Sequence, residues 1–427
     1  MRVLLTGAAL LLLVGWAAGC SSFIYRCNTT DDVPISGHTF DNTADARQSL
    51  VTLPAGFVFT AAEPCTGCEA QNHTFNHGVA YVAGTGAGYF GAAFSGMNSA
   101  GLAAGAHTLG SAKGPALLYH AEGPATALAW PEVLLYLLGT FGSVDEVARQ
   151  FTPQNYQVVT DFAPGALQQG VALMFNILDI VPIHISIYDA SGDGGVIEFD
   201  GQKGWNLYRN VSAVTNMPSY PEQLANLERW RKAEGNTSAY VAGLLQGSYE
   251  LVFQQLPGSY SPAARFLRLS LLLEQMCGPD DKPYPAAANW SPAFAGVQAM
   301  PGREALAQAA AILGTVDVAK GMTFDLSGWT QVASLRDHAH LMLYWKTPLT
   351  MRWQGINVTA AAAADAPQIL PIWEGHQDGW EDVTSMMQAM PGLAPGPAGP
   401  AELEELLPVL NGTASGAAQP LATDHRG

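Results

Sequence analysis

The spacing of apolar positions changes several times along this chain, and each change marks an element. Residues 3–16 form an apolar run that ends in Ala17-Ala18-Gly19 and then Cys20. Ser21-Ser22-Phe23-Ile24-Tyr25 and residues 33–39 read as two strands around a polar turn at 28–32. Between 78 and 109, short strand-like segments alternate with glycine turns. Residues 127–151 read as helical, with Val133, Leu134, Leu137 and Leu138 on one face and 144–148 continuing it. Segments 183–188 and 195–199 predict strands around the turn Asp189-Ala190-Ser191-Gly192-Asp193, with further strands at 205–208 and 213–215. Pro221 opens a helix carrying Leu224, Leu227 and Trp230, and Ser261-Pro262 opens another carrying Phe266, Leu269 and Leu273. Late strands are predicted at 330–335 and 341–345. Beyond about Ala360 an alanine run and Pro/Gly/Ala repeats predict a low-complexity, mobile tail over 361–427. Strands, then helices, then strands predict an α+β domain over 20–360, with mixed sheets covered by helices.

The first twenty residues carry the first chemical signal. One basic residue, Arg2, a short apolar run and small residues at Ala17 and Gly19 predict a secretory signal peptide, 1–19. The run is too short to span a bilayer comfortably. Cleavage after Gly19 leaves Cys20 with a thiol and a free α-amine on one residue. An α-amine with a pKa of about 7.7–8.0 accepts the thiol's proton near neutrality. At this point Cys20 has two other readings, as half of a disulfide or as the acylated cysteine of a bacterial lipoprotein, for which Ala17 is a poor match.

Composition narrows the class. The chain has 427 residues, 48% hydrophobic and 13% charged, with a net charge of −17. That balance argues against nucleic acid or an anionic membrane as partner. The most apolar stretch after the leader, 170–188, is interrupted by Asn176, Asp179, Pro182 and His184, so it reads as a helix end and a core strand, and no transmembrane segment is expected in the mature chain. Asn-x-Ser/Thr occurs at Asn28, Asn72, Asn210, Asn236, Asn289, Asn357 and Asn411, seven of fifteen asparagines. Chance supplies roughly two, so N-glycosylation and passage through a eukaryotic secretory pathway are expected, with an extracellular or lysosome- or vacuole-like destination. With Cys20 free, four cysteines remain. Cys65 and Cys68 in a CxxC read as a small loop disulfide rather than zinc ligands, which leaves Cys27 and Cys277 as a second pair. Gly86-x-Gly88-x-x-Gly91 has no helix after it and carries no cofactor reading. Asp337-His338-Ala339-His340 reads as a turn, and His73 and His77 lack the glutamate of a metalloprotease helix, so no metal or cofactor is expected.

Several blocks, in order, point further. They are Cys20-Ser21-Ser22-Phe23, Gly37-His38-Thr39-Phe40-Asp41, Gly96-Met97-Asn98-Ser99-Ala100-Gly101-Leu102-Ala103, Tyr188-Asp189-Ala190-Ser191-Gly192 with Ile197-Glu198, Val214-Thr215-Asn216-Met217-Pro218-Ser219-Tyr220, Ser261-Pro262-Ala263-Ala264-Arg265-Phe266 and Tyr344-Trp345-Lys346-Thr347. From Cys20 to about Val358 the chain resembles the choloylglycine hydrolase / penicillin V acylase family of N-terminal-nucleophile amide hydrolases. The resemblance implies a four-layer αββα sandwich. It also implies hydrolysis of a non-peptide N-acyl amide, with a small-molecule substrate and assembly into a homo-oligomer.

Residue by residue, Cys20 resembles the nucleophile and Asp41 the carboxylate that holds the terminal amine. Asn216 resembles the side-chain donor of the oxyanion hole, and Arg265 the arginine of the site's charge network. Thr108 falls where a backbone amide completes the oxyanion hole, and a slip of one residue puts His107 there. His38 departs from the pattern, since the family usually has an arginine there, beside the thiol. A histidine is cationic only below about pH 6.5 unless perturbed, so activity shifted toward acid is expected if His38 takes over that charge. Two other functions compete with a secreted cysteine amidase: an acid-ceramidase-like lipid amidase, and an inactive glycoprotein of the same fold that binds acyl lipids.

Overall fold

The structure is a computed structural model and describes residues 20–26, 33–42, 48–61, 69, 71–84, 93–109, 126–159, 183–199, 204–233, 257–277, 303–319, 328–348, 350, 352–372, 381–382 and 384–389. Among these, two large sheets carry the fold. A seven-stranded sheet has the order Ala213–Thr215, Ser21–Tyr25, Ile35–Asn42, Trp329–Asp337, Met342–Lys346, Gln354–Asn357, Glu381–Asp382. A nine-stranded sheet has the order Trp205–Arg209, Gly194–Phe199, Ile183–Tyr188, Ala103–Thr108, Ala93–Asn98, Val79–Gly84, Gln48–Leu53, Gln368–Pro371, Gln388–Ala389. Neighbours are antiparallel except for the short Glu381–Asp382 strand, which runs parallel to Gln354–Asn357.

The period-2 alternation of the strands explains the layering. In Trp329–Asp337, Ala333 and Leu335 face a helical layer, whereas Val332, Ser334 and Arg336 face the other sheet. In Ser21–Tyr25, Phe23 and Tyr25 face the helices, and Ser22 reaches across to Ser186 of the opposite sheet at 3.0 Å. Gly37, opposite Phe23, leaves room for its ring: a Cβ there would lie 2.5 Å from Phe23 Cε1.

Helices close the outer faces. Pro262–Cys277 packs on Ser21–Tyr25 and Ala213–Thr215, and Arg303–Gly314 on Ile35–Asn42 and Trp329–Asp337. Tyr220–Ala233 lies against Pro262–Cys277. Val133–Thr140 covers Ala93–Asn98 and Ala103–Thr108 on the other sheet. Helices, seven-stranded sheet, nine-stranded sheet and helix make the expected four-layer αββα sandwich. The expected helix starts hold as well. At Ser219, Glu222 Oε2 reaches back to accept from Ser219 N at 3.2 Å, one arm of a capping box, and from Ser219 Oγ at 2.7 Å. Ser261 Oγ accepts from Ala264 N at 3.3 Å, one residue before Pro262.

Two expectations need correction. The helix read over 127–151 does not begin at 127: Thr126–Ala129 is a strand paired in parallel with Tyr156–Val159. Helical structure begins only at Trp130–Glu132 and Val133–Thr140. The tail does not begin at 361 either. Ala361 is buried, Gln368–Pro371 pairs with Gln48–Leu53, and Ile369, Leu370 and Ile372 are buried. Ala362 packs close against Gly78, where an added Cβ would lie 2.3 Å from its own. Residues 391–427 lie outside the described residues.

Candidate active site

Cys20 stands at the start of the central strand pairings. Ser21 pairs with Thr215 on one side and Thr39 on the other, so Cys20 sits alongside Asn216 and next to the Phe40–Asp41 step. It is 3% exposed and carries no disulfide. The backbone N–H of Asp41 and the side chain of Asn216 both hydrogen-bond its sulfur. Burial, and secondarily the Asp41 carboxylate, push the thiol up to about 12. In this chain Gly19 still precedes Cys20, so its nitrogen is an amide and no ammonium offsets Asp41.

Asp41 and Arg265 form the charged side of the site. Arg265 Nη1 lies 3.4 Å from Asp41 Oδ2, donates to the Cys20 carbonyl at 3.2 Å and also donates to Ser21 Oγ. Its Nε donates to Tyr260 O at 2.9 Å, and the first turn of Pro262–Cys277 carries it. Thr330 Oγ1 donates to Asp41 Oδ1 at 2.6 Å. Burial pushes Asp41 up to about 7, against the opposing pull of Arg265 and Thr330. Thr330 and Ser21 were not singled out by sequence. Thr330 lies 289 positions from Asp41, with no local spacing to betray the contact.

Asn216 is fully buried at the end of Ala213–Thr215, and its Nδ2 donates to Thr108 Oγ1 at 2.6 Å. Thr108 rather than His107 therefore stands beside it. His107 turns between the sheets, its Nε2 3.1 Å from Ser186 Oγ. Cys20, Asp41, Asn216, Arg265 and Thr108, drawn from five separate segments, meet at one point.

His38 does not fit its expected role. It lies opposite Ser22, two pairs along from Cys20, on the face between the sheets. Its Nδ1 is 2.8 Å from Ser22 Oγ, and its ring centroid is 5.1 Å from that of His107. Gly105 makes space for it, since a Cβ there would lie 2.5 Å from Nδ1. Burial, and then the nearby Arg336 guanidinium, hold its pKa well below the ordinary 6.5. The ring is therefore neutral, and the acid-induced cation expected beside the thiol is not there. Arg336 donates to Ser95 Oγ and, at 3.3 Å, to the Ala104 carbonyl in the same buried layer. His38→Arg is accordingly expected to put a second guanidinium beside Arg336. The expected cost is about 3–5 kcal/mol, that of an unpaired buried charge. Thermal unfolding checks this: a lower midpoint and no gain in activity near pH 8 are expected.

The remaining expectations are distributed as follows. Residues 338–340 form the expected turn; His338 hydrogen-bonds Gly101 O at 2.7 Å and Ser36 Oγ at 2.9 Å. Asn72 and Asn210 are exposed. Asn357 is half-buried and caps a helix, its Oδ1 accepting from Ala360 N at 2.9 Å. The leader 1–19, Asn28, Asn236, Asn289, Asn411, Cys27, Cys65, Cys68 and the side chain of Cys277 lie outside the described residues. Among the described residues no group of three His, Cys, Asp or Glu side chains could hold a metal, and no helix is long and apolar enough to cross a membrane.

Comparison with known proteins gives a consistent picture. Residues 20–284 match the family model described as linear amide C–N hydrolases, choloylglycine hydrolase family. A penicillin V acylase of Pectobacterium atrosepticum is 24% identical over 260 residues, 60% of this chain and 60% of that relative, less than two thirds of its length. The solved penicillin V acylase from Agrobacterium tumefaciens superposes with a TM-score of 0.63 at 20% identity, over 87% of this chain and 97% of that one. A mutant of the conjugated bile acid hydrolase from Clostridium perfringens gives 0.57 at 18% identity, over 85% and 98%. At these identities the structural likenesses are likenesses of fold.

Proposed function

From the premise that this chain belongs to the choloylglycine hydrolase family of linear amide C–N hydrolases, we propose that it is a secreted cysteine amidase whose nucleophile is Cys20. The observation that carries the reading is the convergence of an amide donor, a carboxylate and a guanidinium on that one residue. Leader cleavage after Gly19 frees the α-amine, which takes the thiol's proton. Sγ attacks the acyl carbonyl, and Asn216 Nδ2, with the Thr108 backbone amide as second donor, receives the developing oxyanion. The amine product leaves with the proton returned from the Cys20 ammonium. Water then attacks the thioester, giving its proton to the α-amine, and the acid departs as the thiolate is restored. Asp41 and Arg265 hold the terminal residue in place throughout.

Phenoxymethylpenicillin, bile-salt conjugates, acylated amino acids and acyl lactones are the panel to assay, the first two because similar proteins carry those names. Intact mass during turnover should show an acyl adduct on Cys20. Absence of turnover and of labelling by a thiol-directed probe at every pH would favour the non-catalytic acyl-lipid-binding alternative, for which the neutral His38 speaks.

Export and glycosylation belong to the same reading. Secreted material should begin at Cys20 and lose several kilodaltons on enzymatic removal of N-glycans. Asn357 should stay unmodified, because its side chain caps a helix and donates to His340 O at 3.4 Å. Glycopeptide mapping reads each site.

The cut also changes the electrostatics. In the uncut chain Asp41 titrates at about 7, against an ordinary 3.8. The folded state then holds a proton that the unfolded state has lost, so this group's stabilisation is complete below about 4 and is lost as pH rises through about 7. Three pH units correspond to about 4 kcal/mol. Urea midpoints of cleavage-blocked protein, with and without Asp41→Asn, isolate the effect. The difference between them should grow across that window and shrink in the mature chain, where the ammonium favours the carboxylate.

A further inference from the structure

Asn216 sits in the turn between Ala213–Thr215 and Tyr220–Ala233, and three buried side chains grip the peptide groups on either side of it. Gln223 Nε2 donates to Thr215 O at 2.9 Å and to Pro218 O at 2.7 Å, while its Oε1 accepts from Thr215 N at 3.1 Å. His184 Nε2 donates to the same Thr215 carbonyl at 2.7 Å. His184 Nδ1 lies 2.8 Å from Glu198 Oε1, which also accepts from Tyr220 N at 2.6 Å. His184 and Gln223 are fully buried and Glu198 is 6% exposed.

Donor and acceptor accounting fixes the protons. Nε2 faces a carbonyl and must carry hydrogen. Nδ1 faces a carboxyl oxygen that already receives a backbone N–H, so one further proton lies in the His184–Glu198 contact. The pair is therefore neutral as a unit and holds the ring at both ends. Around it stand His107, its ring centroid 5.3 Å away, and the phenols of Tyr208 and Tyr220 near Glu198. The neighbouring turn adds no charged side chain: Thr215 Oγ1 donates to Pro262 O at 2.9 Å.

We propose that His184, Glu198 and Gln223 are positioning residues that aim the Asn216 amide at the acyl carbonyl oxygen. None of them has a hydrogen bond to Cys20. They converge on Thr215 N, Thr215 O, Pro218 O and Tyr220 N, the backbone that flanks Asn216. Oδ1 of Asn216 has no hydrogen-bond partner among the described residues, so its own contacts anchor the amide at one end only. Its direction must be imposed through the backbone. The inference rests on the reading of Asn216 as the oxyanion donor.

The test uses the mature full-length protein and the N-acyl amide it turns over. Gln223→Met and Glu198→Gln are made singly and together with Asn216→Ala. Steady-state kinetics are measured beside the rate of Cys20 alkylation by iodoacetamide, a displacement that forms no oxyanion. Each single variant should lower kcat by about 10-fold with KM within about two-fold, the split expected for a contact felt only in the transition state. Alkylation should proceed at the wild-type rate. In the Asn216→Ala background the same changes should cost less than about two-fold more, because residues acting through one group are not additive. Unchanged kcat in Gln223→Met, or full additivity with Asn216→Ala, overturns the proposal. If Glu198→Gln fails to fold, seen as slow alkylation and a collapsed melting transition, the milder Gln223→Met decides. Wild-type kcat in Asn216→Ala would instead defeat the reading of the oxyanion donor, and the positioning role with it.

Discussion

Replacing Cys20 with alanine is expected to abolish turnover and leave the mature fold intact. The sulfur is the point on which the Asp41 N–H and the Asn216 amide converge, and no other cysteine is found among the described residues outside the helix end at Cys277. Without it no thioester forms, and loss of a covalent nucleophile costs on the order of 10⁴-fold or more. The structural cost is small, because one buried atom goes and alanine keeps the strand start, about 1–2 kcal/mol by burial and cavity arguments. Alanine is also small enough to follow the cleavage site, so the leader should still be removed. Product formation gives the rate and intact mass gives the intermediate. Wild type should gain the acyl mass, and the variant should neither gain it nor release product. Full activity in Cys20→Ala would discard the cysteine mechanism.

How much of this was legible in the chain depends on the range of the interaction concerned. The helix starts at Pro221 and Ser261-Pro262 were readable because proline favours the first helical turn, a signal that lies within one or two residues of the start. The strands 183–188 and 213–215 were readable because their apolar runs are bounded by turn residues. Thr126–Ala129 misled because Ala-Leu-Ala has no strand signature of its own; pairing with Tyr156–Val159 decided it. Gln368–Pro371 was hidden behind an alanine run of low complexity, of which Ala362 packs closely on Gly78. At the site, Cys20, Asp41, Asn216 and Arg265 were found through motifs. The charge on His38 was misjudged, because a residue type does not disclose burial or an arginine 298 positions away that shares its compartment. His184, Glu198 and Gln223 lie scattered among ordinary strand and helix positions, and only the hydrogen bonds show that they serve one turn.

Asn216→Ala should lose roughly 100- to 1000-fold in kcat, the usual cost of one oxyanion donor, about 2.7–4 kcal/mol. The loss should fall on kcat more than KM, because the amide meets full negative charge only in the transition state. Stability should move the other way or hardly at all. Asn216 is fully buried, its Oδ1 is a buried acceptor without a partner among the described residues, and its Nδ2 donates to Thr108 Oγ1 and to the Cys20 sulfur. Alanine removes the unpaired acceptor while Thr108 and the Cys20 sulfur each lose a donor, the sulfur bond being a weak one, so the changes offset one another to within about 1 kcal/mol. A residue kept at no benefit to the fold, and at large benefit to the rate, is kept for chemistry. Asn216→Asp sharpens the test: it preserves the shape but turns the donor into an acceptor beside the thiol and Asp41. It should be at least as slow as alanine, and its rate should recover partly toward acid, where the new carboxyl is protonated and donates again. Paired kcat and thermal-midpoint measurements on both variants check this. A large fall in midpoint for Asn216→Ala with kcat retained would make the residue a structural one.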